Sequence, residues 1–411
     1  MLAGTYGDLR LNGDGTYSYS ADNAAAIAAA PLGGHPHDLF SYTASDGLGG
    51  TADASLDITI DRPPVAAPDT NGVLTAETIS GNVLANDSDP DGDGLTVTAI
   101  SAVGGASRTV SGLLAGTYGH LTLNAYGSYT YVADNAAAIA AAPTGSHPLD
   151  AFSYTISDGL GATSTATLDI VIDRSPIAAN DLAGVQIGKS ISGNVLANDR
   201  DLDGDSIRVV GLGGGSLGQS VAGKYGTLVL GPDGTYTYVS NKNAQMPSQG
   251  VAQDVFAYTE SDGHGGTGQA MLSITTIPNG LNYIAGTPGA AITSGNGKTI
   301  VDASLGGQTV VAGNGADTII GGPHDVLTGG NGPDTFVFGP SPGPNTITDF
   351  DPHNDLIQFN HALFASYAAV LGAESFDGHS TIITNPADPN QSVTLQSVAP
   401  SNLSARNFQF T

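Results

Sequence analysis

At 411 residues the chain has room for three or four domains of the usual ~100–200 residues. Its 38 acidic residues against 11 basic ones give a formal net charge of −27, which argues against nucleic acid and anionic lipid as partners and leaves cations as the natural counterpart. There is no cysteine for disulfide bracing, no apolar run approaches the ~18 residues that cross a bilayer, and Met1–Gly7 lacks the basic and apolar regions of a Sec leader.

The chain repeats itself almost literally. Four segments return: 2–7 at 114–119, 22–31 at 134–143, 56–62 at 168–174 and 80–87 at 192–199, each displaced by 112 positions (114 − 2, 134 − 22, 168 − 56, 192 − 80). A third, diverged copy carries Gly234–Tyr238 and Tyr258–Gly266. The repeats divide the chain into the back half of a module at 1–62, complete modules at 63–174 and 175–277, a glycine-rich segment at 278–359 and a terminal segment at 360–411. Met1 aligns with Leu113, an interior position of the intact copy, so the apolar faces of 1–62 are expected to lack covering strands and the chain to be a piece of a longer one.

Within each module the hydrophobic period is two, the mark of half-buried strands. Tyr129-Thr130-Tyr131 and Tyr236-Thr237-Tyr238 alternate. Phe152, Tyr154 and Ile156 form one predicted face, and Ala166, Leu168, Ile170 and Ile172 another across the turn at Ser157-Asp158-Gly159. Asp22-Asn23 and Asp134-Asn135 before alanine runs predict capped helical turns. Pro63-Pro64 and Ser175-Pro176 mark module joints. Short strands with Gly and Asp turns over about 100 residues predict Ig-like sandwiches.

Two loops concentrate the acid: Asp87, Asp89, Asp91 and Asp93 before Gly94, and Asp199, Asp201, Asp203 and Asp205 around Gly204. Alternate spacing on a curved loop is expected to turn several carboxylates toward one point, where only a cation relieves their repulsion. Position twelve from Asp87 is Thr98, so neither an EF-hand glutamate nor that motif is present. Asp46, Asp158 and Asp262 sit in Ser-Asp-Gly sequences that favour turns on their own.

The run 81–100, the hairpin 127–132, the segment 152–161 and the joint 62–69 resemble the VCBS and cadherin-like repeats of large bacterial adhesins and biofilm proteins, over residues 1–277. That resemblance implies stacked sandwiches projecting from a cell, stiffened by calcium, with Asp61, Asp69, Asp173 and Asp181 as further candidate ligands at the joints.

After Pro278 the texture changes. Gly329–Val337 fits the nonapeptide GGxGxDxUx in full, Ala312–Ile320 fits with one substitution, and Gly321–Leu327 fits with a one-residue deletion. Glycines bend the backbone, Asp supplies a carboxylate and the U residue fills the core between rungs. Two nonapeptides make a full turn, so Asp317 and Asp334 should share one side, with carbonyls near Gly313, Gly315, Gly330 and Gly332, and Asp325 should lie opposite. Residues 284–311 keep the glycines without most of the Asp and read as rungs without metal. Residues 346–351, including Asp349 as a candidate ligand, and 355–359 read as closing rungs. Asn360 is expected to cap a helix over 361–371 before a final β segment at 407–411. Residues 284–411 resemble the C-terminal end of RTX (hemolysin-type calcium-binding) proteins and the tail of type I secretion targets, although Asn345 stands where that family often has Asp.

The reading is thus an all-β chain: tandem Ig-like or cadherin-like sandwiches, then a parallel RTX-like β-roll with a short helix and closing strands. Its expected function is that of the calcium-binding, non-catalytic C-terminal portion of a secreted or surface-bound adhesin. The expected partners are Ca2+, the type I secretion machinery and cell-surface proteins or glycans. The rival reading is the secretion and folding tail of an RTX-type enzyme or toxin. Gly214–Gly218 matches G-x-S-x-G without strand-to-helix context, and Gly295–Thr299 lacks the first glycine of a phosphate loop, Ile292 standing there. His35 and His37 have no partners at zinc spacing and are expected in a solvated loop.

Overall fold

The computed structural model describes residues 1–110, 112–247 and 251–411. The described chain is built of β-strands with three α-helices of five or six residues, Ala24–Ala29, Ala136–Ala141 and Tyr367–Leu371, and two short 3-10 turns near its end. No helix among the described residues is long and apolar enough to cross a membrane. The residues form two compact units: 1–175 with 201–205 and 264–266, and 176–200, 206–263 and 267–411.

In the first unit, the second repeat is a β-sandwich. One sheet runs Leu113–Ala115, His120–Leu123, Ser128–Val132, Thr78–Asn82. The other runs Asp69–Leu74, Thr163–Asp173, Leu149–Ser157, Thr96–Ala102, Arg108–Thr109. Neighbours are antiparallel except Asp69–Leu74, which runs parallel to Thr163–Asp173. The alternating pattern sorts the faces: Tyr129 and Tyr131 are buried between the sheets while Thr130 is exposed, and Tyr131 meets Phe152 of the other sheet edge-on. Phe152, Tyr154 and Ile156 pair with Leu168, Ala166 and Ser164.

The first repeat contributes a three-stranded sheet (Leu2–Ala3, Asp8–Leu11, Tyr17–Ser20) and the hairpin His37–Ser45 with Thr51–Thr59. Tyr17 and Tyr42 are 53% and 38% exposed, whereas Tyr129 and Tyr154, their counterparts at the 112-residue offset, are 6% and 1% exposed. In both repeats the alanine helix is capped as its sequence predicts. The Asn23 side chain accepts the Ala26 N–H at 3.3 Å, and Asn135 accepts that of Ala138 at 3.4 Å.

The second unit holds the third repeat, with sheets Asp181–Gln186, Thr267–Ile277, Ala252–Ser261, Arg208–Leu212 and Ser190–Asn194, Thr235–Ser240, Gly226–Leu230, Ser220–Ala222. After it the chain winds into a roll of two parallel sheets. One stacks Asn282–Ala285, Thr299–Ala303, Thr318–Gly321, Thr335–Phe338, Leu356–Phe359 and Phe408–Phe410. The other stacks Ala291–Thr293, Thr309–Val311, Val326–Thr328, Pro344–Ile347 and Ser392–Leu395, closed by the antiparallel strands Thr381–Thr384 and Glu374–Phe376. Ile319, Leu327, Phe336, Ile347 and Ile357 fill the space between the sheets.

The helix expected over 361–371 is shorter. It spans Tyr367–Leu371 and is capped by Ser366, not Asn360. Phe364 packs into the roll core against Phe359, ring centres 4.8 Å apart. Burying that ring draws 361–364 into a separate turn, closed by the Asn360 carbonyl.

Candidate metal centres

The acidic loop of the second repeat does not gather its four carboxylates at one point, which corrects the expectation from spacing alone. Each Asp is drawn to a different partner. Asp89 Oδ1 accepts the N–H groups of Asp91 and Gly92 at 2.7 and 3.1 Å, which shapes the loop. Gly92, at φ +90°, takes the left-handed conformation that turn requires. Asp91 is buried and held by Arg62, whose backbone N–H and Nε donate to its two oxygens at 2.6 and 2.7 Å. The remaining Arg62 donors reach the carbonyls of Ala30, Pro31, Gly34 and Pro90. Asp87 accepts the Ala67 N–H at 2.7 Å and lies with Asp69 around the Tyr154 hydroxyl. Burial raises the pKa of Asp69 and of Asp87 above the usual carboxylate range.

Asp93 faces His35. Its Oδ2 lies 3.2 Å from His35 Nε2, which is also 3.5 Å from Asp61 and 3.9 Å from Asp91. These four side chains each offer a ligand atom within 4.8 Å of the others. The solvated loop expected for His35 is therefore wrong: its side chain is only 23% exposed and packs into the carboxylates. His37, the first residue of strand His37–Ser45, is exposed and lies 3.3 Å from Asp57. Burial first, and then the charge of Asp158, raise the Asp61 pKa. Asp158 shapes its own turn by accepting the Leu160 N–H at 2.8 Å, and its second oxygen is buried with no hydrogen-bond donor.

The same unit contains a second copy of this arrangement around loop 201–205. Arg174 grips Asp203 with two contacts of 2.7 Å, and Asp201 Oδ1 accepts the N–H groups of Asp203 and Gly204. His147 Nε2 stands 3.0 Å from Asp205, 3.5 Å from Asp173 and 4.0 Å from Asp203. Here a second imidazole joins: His264 Nδ1 is 3.4 Å from Asp205 Oδ2. In the second unit, Asp199 accepts the Ala179 N–H and shares the Tyr258 hydroxyl with Asp181. Burial, reinforced by the Asp199 charge, pushes Asp181 up to about 7.

In the roll the carboxylates form ladders. Asp334 Oδ1 accepts the Asp317 N–H at 2.8 Å, Asp317 Oδ1 accepts the Thr299 N–H at 2.7 Å, and Asp355 Oδ1 accepts the Asp334 N–H at 2.9 Å. Asp325 belongs to the other ladder, accepting the N–H of Gln308 and of Gly322 and donating its own to Asn345. Asp349 accepts both Gly329 and Gly330 N–H groups at 2.8 Å. The glycines allow the rungs to touch. A Cβ on Gly330 would fall 2.2 Å from the Gly313 carbonyl oxygen, and one on Gly332, at φ +137°, would overlap that of Gly315. Burial pushes Asp325 and Asp334 up to about 6 and raises Asp317 and Asp355 as well.

A cation suits these places because oxygen atoms there are buried without a donor: Oδ2 of Asp89, Asp93, Asp201, Asp205, Asp317 and Asp334. The histidines and arginines were the residues that motif spacing missed. Their one sequence signal is the offset itself, which relates His35 to His147 and Arg62 to Arg174. Gly214–Gly218 sits in the turn region between strands Arg208–Leu212 and Ser220–Ala222, with no helix after it.

Sandwich repeats with a parallel edge strand, locked by arginine to an acidic loop, define a cadherin-like protein of the bacterial kind. The bacterial cadherin-like domain matches residues 61–174 and 173–278, and the chain belongs to that family. It is similar to the calcium-binding lectin RapA2 of Rhizobium johnstonii, at 34% identity over 233 residues covering 51% of this chain and 95% of the relative. Among solved structures it resembles a three-Ig fragment of titin (10% identity, TM-score 0.31, 67% of this chain and 84% of that one). It also resembles Drosophila N-cadherin EC1-4 (12% identity, TM-score 0.20, 62% and 64%). At those scores neither superposition bears on function.

Proposed function

We propose that this chain is the calcium-binding, non-catalytic portion of a bacterial adhesin. It is exported by type I secretion machinery, folds outside the cell as calcium binds, and acts at the cell surface or in a biofilm matrix. The observation that carries this is the set of buried carboxylate oxygens without donors in glycine-bent turns, in a chain of net charge −27. In the roll, calcium would lie between Asp317 and Asp334 with carbonyl oxygens near Gly313, Gly315, Gly330 and Gly332, and Asp325 and Asp349 would serve neighbouring turns. In the sandwiches it would be held at the loops 87–93 and 201–205. The likeness to a calcium-binding lectin supports the ion and favours a surface glycan as the adhesive partner.

The mechanism follows from desolvation. Asp317, Asp325, Asp334 and Asp355 carry raised pKa values because folding strips water from their carboxylates, a penalty that a bound cation would offset. At low cytosolic calcium this penalty leaves the roll loose enough to thread an export channel. Outside, an ion that binds only the folded state stabilises it by about 1.4 kcal/mol per site at a free concentration tenfold above Kd, and extracellular sites typically have Kd of ~10⁻⁴–10⁻³ M. The check is thermal unfolding of the full chain in chelator and at millimolar calcium. Calcium should raise the transition of the roll, and Asp317→Ala and Asp334→Ala should flatten that response. Superimposable curves in chelator and calcium would overturn the reading.

A further inference from the structure

The two loop centres of the first unit differ by one side chain. Where the second repeat has Leu160, two residues after Asp158, the third has His264, two residues after Asp262. The centre around 201–205 therefore contains two imidazole nitrogens and the centre around 87–93 only one. His147 Nε2 and His264 Nδ1 approach the same atom, Asp205 Oδ2, at 3.0 and 3.4 Å, and Asp173 Oδ1 is 3.5 Å from His147 Nε2. The two rings meet edge to face with centres 5.5 Å apart. Asp205 Oδ2 is buried, yet neither contact is a hydrogen bond.

Calcium prefers six to eight oxygen ligands, whereas imidazole nitrogen suits borderline ions such as zinc. A tetrahedral zinc site with arms of ~2.0–2.1 Å has ligand atoms about 3.3 Å apart. The contacts of 3.0 and 3.4 Å that Asp205 Oδ2 makes with the two imidazoles fall near that spacing. Arg174 already neutralises Asp203, so Asp205 is the carboxylate that joins the two imidazoles in a mixed nitrogen and oxygen set.

We propose that His147, His264 and Asp205, with the fourth position left to solvent, form a site for a zinc-class divalent ion that calcium does not displace. The proposal rests on reading loop 201–205 as a cation site and changes the ion held at this corner. The centre at His35, with one imidazole and three carboxylates, is the internal control.

The test is zinc binding to the full chain by equilibrium dialysis in millimolar calcium, on the parent protein and on His264→Leu, His147→Gln and His35→Gln. His264 is an exposed side chain, so its replacement by the leucine of the second repeat should leave the fold intact. The parent should retain one zinc ion per chain. His264→Leu and His147→Gln should each weaken retention at least tenfold, and His35→Gln should leave it unchanged. Cobalt(II) should give tetrahedral visible absorption in the parent and lose it in His264→Leu. Zinc that millimolar calcium washes out, or retention equal in parent and His264→Leu, overturns the proposal. The calcium-dependent unfolding shift, measured on the same proteins, reports the calcium reading separately: its loss in the parent would sink that reading and leave the zinc result standing.

Discussion

The acidic loops of the sandwiches and the rungs of the roll use the same material, aspartate beside glycine, and handle its charge in opposite ways. At the loops around 87–93 and 201–205 the protein supplies its own cations. Arg62 and Arg174 are buried against Asp91 and Asp203, with His35 and His147 alongside. In the roll, among the described residues, no lysine or arginine forms an ion pair with Asp317, Asp325, Asp334 or Asp355, whose hydrogen bonds come from backbone N–H groups. The loops therefore have part of their charge balanced from within the chain, whereas the rungs close at neutral pH only at an electrostatic cost. One chain thus holds loops whose acid is paired with arginine and histidine beside rungs whose acid is met only by backbone N–H groups.

The largest effect expected from this contrast comes from removing an arginine. Arg62→Ala leaves the buried Asp91 carboxylate without its partner and strands four carbonyls, so it should destabilise the first unit by about 3–5 kcal/mol in thermal or denaturant unfolding. If the variant unfolds like the parent, the arginine lock is not what closes the joint.

The next concerns pH. Burial raises Asp325 and Asp334 to about 6 in the folded roll, while the unfolded chain titrates them near 4. Between those values the folded state holds protons that the unfolded state has lost. In chelator, stability should therefore fall as pH rises from about 4 to 6 and stay low above it, by on the order of 1–3 kcal/mol per carboxylate. Asp334→Asn should raise the chelator transition at pH 7 and reduce the calcium response. A chelator transition that rose with pH across that window would contradict the desolvation account.

The smallest expected effect is local. Asn135→Ala removes the side-chain cap of helix Ala136–Ala141 and should cost about 1 kcal/mol in unfolding, equally in calcium and in chelator. A calcium-dependent cost would mean that the helix is coupled to the metal centres.

Much of this architecture was legible in the order of residues, because strands, caps and rungs are written in short-range patterns. The period of two placed Tyr129, Tyr131, Phe152 and Tyr154 inside, Asn23 and Asn135 announced their helices, and the nonapeptide spacing set Asp317 and Asp334 one rung apart. Tertiary structure alone decided where each loop carboxylate went. Asp91 meets an arginine 29 positions away, His147 meets Asp205 at a separation of 58 (205 − 147), and His264 reaches Asp205 from 59 (264 − 205). Spacing within a loop shows which side chains alternate, but not which cations from elsewhere in the chain will be folded against them. Pairings at that range carry no local period, so only the assembled strands reveal that the charges are divided among arginine, histidine and open coordination sites.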